Sequence, residues 1–88
     1  MDVARLGQII REEGLDVPLL HGVGRPHPDA VVLDREGGRW TVHLLDERHA
    51  VIATTVRVFD DESDALEQVL LKLRQVSVSR AGRAHGDR

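Results

Sequence analysis

The sequence predicts a small α+β domain of order α-β-β-β-α, a three-stranded antiparallel meander with both helices on one face. Three observations carry this reading. Residues 30–59 alternate apolar and polar side chains, with a double glycine, Gly37 and Gly38, in between. Ahead of that stretch, Val3, Leu6 and Ile10 recur at helical spacing, with Ile9 beside them. Behind it, Leu66, Val69, Leu70 and Leu73 draw a second apolar stripe. A chain of 88 residues makes one domain, burying roughly 60–65% of the surface its unfolded form exposes.

In chain order, the first helix spans residues 3–13, with Asp2 as N-cap and Gly14 as left-handed terminator. Pro18 stops it from continuing. Residues 16–29, "DVPLLHGVGRPHPD", form a connector with three prolines, pinned to the core by Leu19 and Leu20. Connections this long are often functional. "AVVLDR" (30–35) is the first strand and "EGG" (36–38) its turn. Along 39–46, Trp40, Val42 and Leu44 share one face and Thr41, His43 and Leu45 the other. Trp40 is the expected core anchor. After a charged turn at 46–49, the run 50–59 makes the third strand. It puts Ile52, Thr54, Val56 and Val58 on one face, and Thr55, Arg57 and Phe59 on the other. The second sheet face, with His43 and Arg57, is then open to solvent or a partner. Asp61 caps the last helix, with Asp64 placed to return the bond and Glu62 adding negative charge in the first turn. Residues 1–78 form the domain, and 79–88 read as a disordered tail.

Composition narrows the function. The 88 residues contain no cysteine, which excludes a disulfide scaffold, a thiolate metal site and a cysteine nucleophile. Aromatics are only Trp40 and Phe59, too few for a base-stacking platform. No signal peptide or membrane-spanning run is present in this sequence, so a cytoplasmic setting is expected. The net charge of −3 is uneven. The tail carries three arginines against one aspartate, and the body nine basic against fourteen acidic residues. An acidic body disfavours nucleic acid and favours a basic protein partner.

No chemistry-bearing motif stands out. The five histidines, His21, His27, His43, His49 and His85, show no local ligand spacing, so no metal or other cofactor is expected. Asp46 and Glu47 with His43 sit in an arginine-flanked turn that predicts solvated charge rather than acid–base catalysis. The chain therefore reads as a non-enzyme. Its strongest surface feature is acidic. Asp46, Glu47, Asp60, Asp61, Glu62 and Asp64 flank the third strand and the last helix, and would form one negative patch if they converge.

Over residues 1–74 the chain resembles the small immunity proteins encoded beside polymorphic or Rhs-type bacterial toxins. The matching features are Gly24 and Pro26 in the connector, and Gly38-Arg39-Trp40-Thr41-Val42 followed by Glu47-Arg48. At the last helix start, Phe59-Asp60-Asp61-Glu62-Ser63-Asp64-Ala65 also matches. Asp61 and Asp64 stand where that group has Ser and Glu, which keeps the capping chemistry. His49 stands where a glycine often follows Glu-Arg. The resemblance implies an antitoxin function: binding a cognate toxin domain and covering its active site. His21, Arg25, His27 and the Glu47-Arg48 turn are then the expected contacts. The toxin could be a nuclease or an NAD-consuming or ADP-ribosylating enzyme. Two other classes fit the residues: a regulatory or adaptor module pairing through a sheet edge, as a homodimer for example, and an enzyme subunit using His43 and Arg57.

Overall fold

The computed structural model describes residues 1–21 and 23–86. Helix α1 spans Val3–Glu13. Strands β1 (Leu19–Leu20), β2 (Val31–Glu36) and β3 (Arg39–Leu44) follow. A 3-10 turn at Ala53–Thr55 leads to β4 (Arg57–Phe59) and helix α2 (Glu62–Gly86). The α+β class is as the sequence predicts, and the sheet has one strand more. It is four-stranded and mixed, in the order β1-β2-β3-β4, with β1 parallel to β2 and the other pairs antiparallel.

The capping residues act as read. The Asp2 carboxylate accepts from the Arg5 amide at 2.8 Å, and Gly14 ends α1 at φ 66. The Asp61 carboxylate accepts from the Asp64 amide at 3.3 Å. Gly37 and Gly38 both take positive φ, 58 and 79, the conformation that closes a two-residue hairpin with the twist of its strands.

The core packs both helices onto one sheet face. Leu6, Ile9 and Ile10 of α1 and Leu66, Val69, Leu70 and Leu73 of α2 cluster with Val31, Leu33 and Val42. Trp40, Leu44 and Phe59 pack against this cluster without being fully buried. The helices run parallel. The Met1 ammonium donates to Ser63 Oγ at 2.7 Å near their starts, and Arg74 grips the Glu13 carboxylate with two hydrogen bonds at the far end of α1.

The connector supplies the added strand. Leu20 joins the main core, while Leu19 turns to the opposite face and forms a second cluster with Ala30, Val32 and Leu45. This corrects the open second face: its half nearest the connector is covered. Gly24 sits at φ 117, and a Cβ there would come within 2.6 Å of Leu19 Cδ2, so the connector can lie this close to Leu19 because position 24 has no side chain.

The run 50–59 is broken: Val51 bridges Leu45 and the Ile52 amide donates to the Leu44 carbonyl, but strand pairing resumes only at Arg57–Phe59 after the 3-10 turn. The Asp46 carboxylate takes the amides of Arg48 and Ala50, at 2.7 and 3.0 Å, and tightens the turn after β3. Thr55 Oγ1 then accepts the Leu44 amide at 2.9 Å and donates to the Ile52 carbonyl at 2.7 Å. A side chain thus occupies a place in the ladder that backbone would otherwise fill. The 3-10 turn also resets the register, so that Arg57 lies opposite Val42 and Phe59 opposite Trp40. Arg57 is therefore on the helix side of the sheet, not beside His43 on the other.

Residues 79–88, set apart by composition as a disordered tail, are helical in backbone through Gly86; Asp87 and Arg88 lie outside the described residues. Ala81, Ala84 and the arginines are good helix formers that offset the cost of Gly82, because a helix already nucleated extends one residue at a time. Among the described residues no helix is long and apolar enough to cross a membrane.

His49 takes φ 63 in the turn, the left-handed conformation natural to glycine. His49→Gly is expected to raise stability by about 0.5–1 kcal/mol, because release of strain outweighs the added freedom of the unfolded chain. A lower urea midpoint for that variant would contradict this account.

Candidate partner-binding surfaces

The expected contact residues fall in separate places, and the reason is strand direction. β3 runs from Arg39 to Leu44, and β4 returns with Phe59 opposite Trp40. Asp60, Asp61 and Glu62 therefore lie at the start of β3, and Asp46, Glu47 and Arg48 beyond its end. At ~3.3 Å per residue the two groups are more than about 20 Å apart. The single acidic patch does not form. Asp60 instead meets Arg39 at 3.5 Å, with both side chains mostly exposed, a pair of little energetic weight. Asp46 builds its turn and Asp61 caps its helix, which leaves Glu47 and Arg48 exposed at the turn.

A different cluster assembles around Trp40. The Arg35 guanidinium lies 5.0 Å from the ring centroid, from the position directly opposite on β2. The His21 ring meets the indole edge-to-face at 5.6 Å. Phe59 lies opposite Trp40 on the other side, on β4. His21 holds φ 54 just after β1, with its amide donating to the Leu33 carbonyl at 2.8 Å. That left-handed residue turns the connector back, and its ring meets the indole. Trp40 is half-buried while Arg35 and His21 are exposed. The cation–π contact contributes on the order of 0.5–1 kcal/mol and holds the Arg35 and Trp40 side chains together in the free protein. Trp40 is therefore less of a core anchor than the sequence suggests. Of these residues only His21 is among the contacts expected from sequence. Arg35 was missed, although a period-two strand opposite Trp40 was its one available signal.

Arg25 and His27 line an open cleft of about 400 Å³, together with Asp16, Val17, Leu19 and Gly24. His27 Nδ1 lies 3.0 Å from the Pro28 carbonyl, which orients its ring. Arg57 is turned back on its own segment, its guanidinium donating to the Thr54 and Val56 carbonyls.

His43 lies on the second sheet face, half-buried and opposite Val32. Burial lowers its pKa below the ordinary 6.5, and the charge of Asp34 partly opposes this. The folded state therefore binds fewer protons than the unfolded chain below pH 6.5. Stability is expected to rise with pH from the depressed folded value up to 6.5 and to level off above it. His43→Gln should flatten that rise below pH 6.5; an identical pH profile in the variant would remove His43 from the titration. Among the described residues no three His, Asp or Glu side chains converge as metal ligands.

No protein-family model, curated protein or solved structure matches the chain.

Proposed function

We propose that this chain is an immunity protein, a small antitoxin that binds a cognate bacterial toxin domain in the cytoplasm and covers its active site. The observation that carries the reading is the Trp40 cluster. Tryptophan and arginine dominate the strongest protein–protein contacts because they combine large contact area with directed polarity. Here Trp40, Arg35 and His21 form such a group in the free protein, so little ordering cost remains for binding. The resemblance of residues 1–74 to immunity proteins supports the same reading. Inhibition of this kind needs a rigid complementary surface and no catalytic group of its own.

The test is a tagged pulldown from the native host, with mass spectrometry of the captured protein and an assay of its activity. The expected result is a stoichiometric toxin domain whose activity disappears as this protein is added. Bait recovered alone, or a captured enzyme that stays fully active at saturation, would overturn the reading.

A further inference from the structure

We infer that Arg57 is an edge guard: its guanidinium caps the outer edge of β4 and keeps the sheet from pairing with β4 of a second copy of this chain. β4 is the last strand of the sheet, and an open edge is a template for another strand. The ladder fixes which way its backbone groups face. The Leu44 amide donates to Thr55 Oγ1, and the Leu44 carbonyl accepts the Ile52 amide. By alternation Val42 and Trp40 also turn their backbone groups toward β4. Their partners Arg57 and Phe59 therefore face inward. Val56, Val58 and Asp60 face out.

Val56 offers an incoming strand no free group. Its amide donates to the Ala53 carbonyl at 3.2 Å, and its carbonyl accepts from Arg57 Nη1 at 2.9 Å. The same nitrogen donates to the Thr54 carbonyl at 3.2 Å, which holds the cationic group beside the edge. Val58 is 53% exposed and turns its amide and carbonyl outward. A strand pairing there finds the next acceptor already filled on one side, and on the other the ladder ends at Phe59. The opposite edge of the sheet is closed by backbone. The His21 amide donates to the Leu33 carbonyl, so Leu20 faces out, and its carbonyl accepts the Val23 amide at 3.0 Å. Closure of the β4 edge rests instead on one side chain. Without the guanidinium, β4 of a second copy fits antiparallel about Val58. Each Val58 amide then meets the other copy's Val58 carbonyl, and each Asp60 amide a freed Val56 carbonyl.

Arg57→Ala in the full chain tests this, by sedimentation equilibrium and native-state hydrogen exchange. The wild type is expected to sediment as a monomer, with a Val58 amide that exchanges far faster than those of Arg57 and Phe59. The variant should keep its native circular dichroism, form a dimer and protect the Val58 amide. Its association should be at least roughly tenfold tighter than wild type, the worth of the two ladder bonds gained. Charge alone predicts the opposite, since the substitution makes a chain of net charge −3 more acidic. Adding Val58→Pro removes the outward amide, which an edge strand tolerates, and should return the variant to a monomer. A monomeric Arg57→Ala, a dimer that persists with Val58→Pro, or a wild-type Val58 amide as protected as its neighbours would each overturn the proposal. Loss of the native fold in Arg57→Ala would also overturn it, by making Arg57 a structural residue.

Discussion

Leu33→Ala is expected to destabilise the domain by about 3–4 kcal/mol, within the range measured for emptying a leucine site in a core that relaxes only partly. Leu33 is 0% exposed. It lies opposite Leu20 of β1 on one side and Val42 of β3 on the other, in the cluster that also holds both helices. Truncation there removes contacts with every layer of the molecule at once. Against a total of about 5–10 kcal/mol for a small domain, the loss is a large fraction. Urea unfolding followed by circular dichroism gives the number. Val17→Ala, at a position 74% exposed, should stay within about 0.5 kcal/mol of wild type. An unchanged midpoint for Leu33→Ala would mean that β2 is not the centre of the sheet.

Trp40→Ala is expected to weaken binding of the proposed partner by about 2–4 kcal/mol, or roughly 30- to 1,000-fold. Arg35→Ala should give a smaller loss of about 1–2 kcal/mol. The stability cost of Trp40→Ala should be about 2 kcal/mol, less than the 3–5 kcal/mol of a fully buried tryptophan, because the ring is only half-buried. The variant therefore remains folded, and the two losses can be read separately by calorimetric titration and urea unfolding. Glu47→Lys, at the far end of β3, should leave affinity within about threefold if the Trp40 end makes the contact. The reverse ranking would move the interface to the turn after β3.

What was legible in the sequence depended on how far apart the cooperating residues lie. Asp2, Gly14 and Asp61 act within one helical turn, so their roles can be read from a few neighbouring letters. The β2–β3 hairpin is equally local, closed by Gly37 and Gly38. β1 was hidden because two residues in a proline-rich connector carry no periodicity, and its partner Leu33 is more than ten residues away. The face of Arg57 was misread because the Asp46 turn and Thr55 replace backbone pairing with side-chain bonds. Alternation cannot be counted through such a break. The Trp40 cluster joins positions 21, 35, 40 and 59. Only the register of three strand pairs brings them together. The acidic patch failed for a related reason: proximity in sequence to the same two strands says nothing about which end of them a residue occupies.

The clasp between Glu13 and Arg74 has a kinetic side. It joins residues 61 apart, whereas β2 and β3 are joined by a turn of two residues between Glu36 and Arg39. Hairpins of that kind close in microseconds, and helix α2 follows β4 almost directly. Docking α1 must instead close nearly the whole chain, at an entropy cost that grows with loop length. The order of assembly that results is hairpin first, α2 onto it next, and α1 last. The same ordering reversed describes how the native state opens. α1 is expected to detach as a unit while the hairpin and α2 stay paired, so in native-state hydrogen exchange its amides should open at a lower free energy than those of Leu33 and Val42.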